Sequence, residues 1–441
     1  MMPSALYSRT SWFFGAALLA ALSTVASSAR AQVTAPRDTL HLAALQHAAR
    51  AHDPRGAQAA LLTEQSELRL RNLRSERFPT FGLTGQSQYQ SDVTNIPIPG
   101  ALSPAKDTYD ANVALRLRLF DPSRAPRRGI EQASLAESQA RLASALYGQR
   151  SAVNDAFFSA LLLDGQHAVL AAGIADLEAQ RATAEVRVRE GAALPGDEAM
   201  LHAELLRRRQ LLAELAANRS VALAMLADLT GMTVPATATL ALPANDDAVA
   251  TARASVDAAR MRPEYAQFAQ SRAVLAERGA AVTAQEQPRV SAFGRTGYGR
   301  PALNPLSSDF DTYWLAGVQV EWAPWNWGSA RREREALALQ TKIVTTEEAS
   351  FTDRIRRGTL ADFAAIDRLT ASVADDSTIV ALREQVLRET RVRFTEGVIT
   401  AAELVDRETD VLTAQLARAA HTVELAQARA RLLTTLGLEV R

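Results

Sequence analysis

The chain runs to 441 residues, and its 49 Lys and Arg balance 49 Asp and Glu. A formal net charge of zero leaves no electrostatic footprint for nucleic acid. There is no cysteine, which excludes a disulfide scaffold, a thiolate metal site and an acylated N-terminal cysteine.

The first residues read as an export signal. Arg9 supplies positive charge, Trp12 to Ala26 is apolar, and Ala29-Arg30-Ala31 offers small residues before a cut at Gln32. No other window approaches the about 20 apolar residues that a membrane helix needs. Any membrane contact is therefore expected by another route.

Thr39 to His52 carries a helical pattern. Pro54 to Phe78 follows as a Leu, Gln, Glu and Arg-rich helix that stops at Pro79. From Thr80 to Tyr89 the composition turns to Gly, Thr, Ser and aromatics, and residues 90–110, with Pro97, Pro99 and Pro104, read as an irregular loop. Ala111 to Phe120 then alternates strictly. Val113, Leu115, Leu117 and Leu119 share one face while Asn112, Ala114, Arg116 and Arg118 share the other, which is the period of a strand.

Beyond this strand no proline interrupts Arg127 to Leu194. A helix from Arg127 to Arg187 would reach on the order of 90 Å and must find partners along its length. Asp197 to Gly231 supplies a further helix, and Pro235 to Ala250 reads as a linker.

After the linker the same order returns. Pro54 and Pro79 are matched by Pro263 and Pro288, Glu190-Gly191 by Glu396-Gly397, and Gly231 by Gly437. The predicted organisation is a signal peptide at 1–31, a first repeat at 32–234, a linker at 235–250 and a second repeat at 251–441. Each repeat would hold one hairpin, with strands at about 80–89 and 111–120 and at about 289–298 and 313–323. In the last of these, Trp314, Ala316, Val318, Val320 and Trp322 form one face. In each repeat two shorter helices, laid end to end, nearly match the long one. The C-terminal helix adds a heptad seam through Val405, Thr409, Leu412, Leu416, Ala419, Val423, Ala426, Ala430 and Leu433.

Two hairpins cannot close a barrel, and a closed barrel is the β arrangement that leaves no edge exposed to lipid. Several chains are thus expected to pool their hairpins. Apart from Trp12, every tryptophan (Trp314, Trp322, Trp325 and Trp327) lies around the last strand, as expected of a membrane interface. The six histidines show no metal-ligand spacing, and no nucleophile elbow or phosphate loop is present, so neither an enzyme nor a cofactor is expected. A soluble periplasmic coiled-coil scaffold or adaptor is the alternative, but it leaves the duplicated hairpins and clustered tryptophans unexplained.

On these features the chain resembles the TolC-like outer-membrane channel family, the outer membrane factors that form the exit ducts of tripartite efflux pumps and type I secretion systems. The resemblance rests on the duplication, the paired hairpins and the polar-aromatic turns Phe120-Asp121 and Trp325-Asn326-Trp327-Gly328. It rests also on a tip motif present twice. Arg187-Val188-Arg189-Glu190-Gly191 is followed by Asp197, and Arg393-Phe394-Thr395-Glu396-Gly397 by Glu403-Leu404-Val405-Asp406.

The fold the resemblance implies is mainly α with a small β part. A long α-helical coiled-coil barrel would join a membrane β-barrel shared by a homotrimer, four strands per chain. It implies a passive efflux or secretion conduit in the outer membrane, with its helices in the periplasm, gated at the periplasmic end. Implied partners are a periplasmic adaptor (membrane fusion) protein, an inner-membrane pump of RND or ABC type, and outer-membrane lipid. Asp197, Glu403 and Asp406 match the gate positions, while Arg187, Gly191, Arg393, Phe394 and Gly397 match the helix tip that meets the adaptor.

Overall fold

The computed structural model describes residues 39–93, 104–254, 261–305 and 307–440. The expected export signal, Pro97 and Pro99 lie outside them.

The chain begins with β1 (Thr39–Leu40) and α1 (Leu42–His52), so the expected helix loses its first residues to a short strand. After a 3-10 turn come α2 (Gln58–Ser75), β2 (Thr80–Tyr89), β3 (Asp107–Phe120), α3 (Arg124–Arg189) and α4 (Pro195–Thr230). The segment expected to be a linker instead holds β4 (Thr239–Leu240) and the start of α5 (Asp246–Ala254). β4 pairs in parallel with β1, and Leu240 enters the core beside Leu42 and Phe157. The second repeat supplies α6 (Pro263–Gln285), β5 (Arg289–Arg300), β6 (Asp311–Glu321), α7 (Ser329–Thr395) and α8 (Ala401–Leu436). β3 and β5 thus run further into their hairpin loops than the alternation suggested, because backbone pairing continues where side-chain patterning stops.

At 66 and 67 residues, α3 and α7 each extend about 100 Å. α2 and α4 both pack along α3, and α6 and α8 along α7, as the lengths suggested. The repeats also interlock, because α3 packs against α6 and α8. The seam of α8 is accordingly two-sided. Val423, Ala426, Ala430 and Leu433 join the α1, α3 and α4 core around Phe157 and Phe158. Leu425, Ala428, Leu432 and Leu436, outside the expected heptad, face Ile366 and Leu369 of α7.

Contrary to the sequence expectation, α3 does hold a stretch long and apolar enough to cross a membrane by length and composition. Its Phe157, Phe158, Leu170 and Leu177 are nevertheless buried against neighbouring helices.

The four longer strands form one antiparallel sheet in the order β2-β3-β5-β6, with β3 and β5 joining the two hairpins. Cross-strand register places Leu83, Val113, Thr296 and Trp314 on one row and Phe81, Leu115, Gly294 and Ala316 on the next.

A duplicated device seats this sheet on the rods. Glu76, which ends α2, pairs with Arg127 of α3 at 2.8 Å, and Glu286, which ends α6, pairs with Arg334 of α7 at 2.7 Å. The adjoining turns match as well. Asp121 Oδ1 accepts from the Ser123 N–H and Asn326 Oδ1 from the Gly328 N–H.

Candidate functional site

Two regions carry the chemistry expected of the chain: the sheet and the helix tips.

Because alternate residues point to opposite sides of a strand, the sheet has two unlike faces. One holds Phe81, Leu83, Val113, Leu115, Val318 and Val320, all exposed. Val318 is 65% exposed and Trp314 75%. The other face holds Asn112, Arg116, Arg118, Arg289, Arg295, Gln319 and Glu321. An apolar patch of this extent is a surface that excludes water only when something apolar covers it. Trp314 lies on the apolar face of β6 and Trp322 directly follows the strand, eight residues on, which at strand rise is about 26 Å, close to the about 25 Å height of a lipid-facing barrel band. Trp325 and Trp327 stack edge to face near the α7 junction, their ring centroids 5.9 Å apart. β2 and β6 each present an unpaired edge.

At the far end of the rods, both tip turns have the same backbone. Gly191 and Gly397 sit at φ +71° and +73°, where a Cβ is strained. The Ala192 N–H reaches the Arg187 carbonyl at 2.7 Å and the Val398 N–H reaches Arg393 at 2.9 Å, which closes a Schellman cap on each long helix. Pro195 then opens α4 at a position that needs no N–H.

Side chains tie the two turns together. Arg187 donates to the carbonyls of Phe394 (3.1 Å) and Ala192 (3.4 Å), with its guanidinium 5.9 Å from the Phe394 ring centroid. Asp197 Oδ1 accepts from the Ala401 N–H at 2.9 Å and so caps α8 from another helix. Of the residues matched to an adaptor contact, Arg187 and half-buried Phe394 are therefore engaged internally, whereas Arg393 is exposed. Glu403 and Asp406 lie exposed on the first turns of α8, without a side-chain partner among the described residues. Replacing Gly397 with Ala is expected to destabilise the tip by about 1 kcal/mol, read as faster amide hydrogen exchange at residues 396–404. Unchanged exchange would remove the strain argument.

A third region was not foreseen. Above the tips, Arg208 and Glu408 are 2% and 4% exposed, in a cluster spanning α3, α4, α7 and α8. Arg208 Nε donates to Glu204 Oε1 at 2.7 Å, and its Nη2 lies 3.8 Å from Glu408 Oε2. Arg391 Nη2 reaches Glu408 Oε1 at 3.3 Å and also pairs with Asp176, while Gln180 donates to Glu408. A cleft of about 390 Å³ opens beside the group.

Burial pushes the Glu408 carboxyl above the ordinary glutamate range, outweighing Gln180, Arg208 and Arg391. Burial opposes ionisation at Glu204 too, but hydrogen bonds from Arg207 and Arg208 outweigh it and hold that carboxyl below the ordinary range. The spacing of Glu204, Arg207 and Arg208 on one helix was a legible signal; their meeting with Glu408 was not.

Comparison with known proteins places this geometry. No protein-family model matches the sequence, and no curated protein matches it. Solved structures do. The membrane channel CusC superposes with a TM-score of 0.70 at 14% identity, over 90% of this chain and 92% of that one. The outer membrane protein VceC of Vibrio cholerae gives 0.68 at 15%, over 90% and 96%. The open state of the MtrE outer membrane channel of Neisseria gonorrhoeae gives 0.65 at 17%, over 90% and 89%. The fold is that of the TolC-like outer-membrane channels, mainly helical with a small strand part.

Proposed function

We propose that the chain is an outer-membrane exit channel, a passive conduit that works as a homotrimer in a tripartite efflux pump or type I secretion system. The observation that carries this is the four-stranded sheet with an exposed apolar face and two unpaired edges, seated on rods about 100 Å long. Three copies joined β2 to β6 give a twelve-stranded barrel without edges. Its apolar face meets outer-membrane lipid and its polar face meets water. The rods then form a periplasmic tunnel, and the tips face an adaptor and an inner-membrane pump.

Such a duct requires no catalytic group, because the work of transport is done by the pump. Fractionation tests the reading against a soluble scaffold. The conduit stays with the outer membrane until detergent is added and forms channels in planar bilayers, whereas release by salt or osmotic shock would overturn it.

Gating belongs to the same proposal. Glu403 and Asp406, repeated threefold around a narrow axis, favour cations over anions. Asp197 holds α8 in place instead, since its carboxylate is already committed to the Ala401 N–H. The double replacement E403A/D406A is expected to change single-channel conductance or to lower cation selectivity, and unchanged values for both would remove the gate role.

A further inference from the structure

We infer that the polar face of the sheet carries an arginine belt that binds polyvalent oxyanions in transit through the barrel. This rests on the channel reading above and adds a ligand class to it.

Arg116 lies in register with Thr80, Phe293 and, through β5, Gly317. Arg295 lies one row on, level with Gly82, Ala114 and Leu315. The two are diagonal neighbours on one face of an antiparallel pair, a separation of about 7–8 Å. No acidic residue stands on either row. Thr80, Gly82, Ala114 and Gly317 on these rows are small, while Phe293 stands across from Arg116, with its ring against Gly317, and Leu315 across from Arg295.

Their charges are also unclaimed. The Arg116 guanidinium has no hydrogen bond or ion pair among the described residues, and that of Arg295 lies over the Tyr313 ring, 5.6 Å from its centroid, rather than on a carboxylate. The acids nearby are already engaged. Asp121 and Glu76 lie 3.6 and 3.5 Å from Arg118, and Asp110 accepts from Tyr313 and Asn112.

A second copy does not neutralise the pair. The β2 edge carries no acidic residue, and the β6 edge presents only Leu315 and Gly317 at this level. Threefold repetition therefore sets six uncompensated guanidinium groups around the lumen. Low-dielectric walls focus such a field, and like charges held this close are relieved by an anion they share. The planar fork of Arg suits the paired oxygens of carboxylate, sulfate and phosphate, so the ligand class is the oxyanion rather than the halide.

The test uses the full-length protein in a planar bilayer in potassium chloride, with sodium tripolyphosphate added to the chamber facing the barrel. Wild-type current is expected to be blocked. In R116Q/R295Q the half-blocking concentration is expected to rise about tenfold or more, and R116K/R295K is expected to recover much of the block. Should the double variant form no channels, R116Q alone gives the same comparison. Wild-type channels that conduct without block, or equal block in the glutamine variants, overturn the belt. A wild type that forms no channels overturns the conduit itself.

Discussion

Replacing Arg208 with Met is expected to destabilise the helical part by about 3–5 kcal/mol, because it leaves Glu204 and Glu408 in the interior without the guanidinium that lies between them. Glu408→Gln is expected to cost far less, since it keeps the shape, removes the buried charge and leaves Arg208 its pair with Glu204. Denaturant unfolding of the detergent-solubilised protein separates the two. A loss below about 1 kcal/mol for Arg208→Met would show that the cluster is solvated and not structural.

The pH dependence follows with a definite sign. Glu408 titrates above its ordinary range, so its protonated form is the one the fold prefers. Its contribution is complete below that range and is lost as pH rises through the raised value. Glu204, held below its range, contributes above it and loses that contribution on acidification. Glu408→Gln should therefore lose less stability than wild type as pH rises toward neutrality.

Val318→Arg is expected to cost about 2–4 kcal/mol and to deplete the assembled barrel, because it puts a charge near the middle of the apolar face. Its neighbour Gln319→Arg is expected to be tolerated, since that side chain lies on the polar face beside Ser291. Both read out as the yield of assembled protein in the outer-membrane fraction. Equal yields would mean that the two faces are not divided between lipid and water, and the channel reading would fail with them.

Much of this was legible in one sequence. Strand parity separated Val113, Leu115, Val318 and Val320 from Arg116 and Gln319, since a period of two assigns faces wherever a strand forms. The tip glycines were legible from the duplication, and their positive φ gives the reason for it. The segment between repeats was misread, because its prolines suggested a linker while Leu240 and the β1 pairing secure it in the core.

By itself the sequence determined the parts: two hairpins, two rods, two glycine-capped tips and the absence of catalytic spacing. These follow from local rules of period, proline placement and backbone strain, which act over a few residues. Only the tertiary structure decided that the repeats interlock through α3, that Asp197 caps α8, that Arg187 joins the tips and that Arg208 meets Glu408. Such contacts join residues roughly 200 positions apart. Charge pairing and capping depend on distance in space, and no local pattern encodes that distance until the rods are packed.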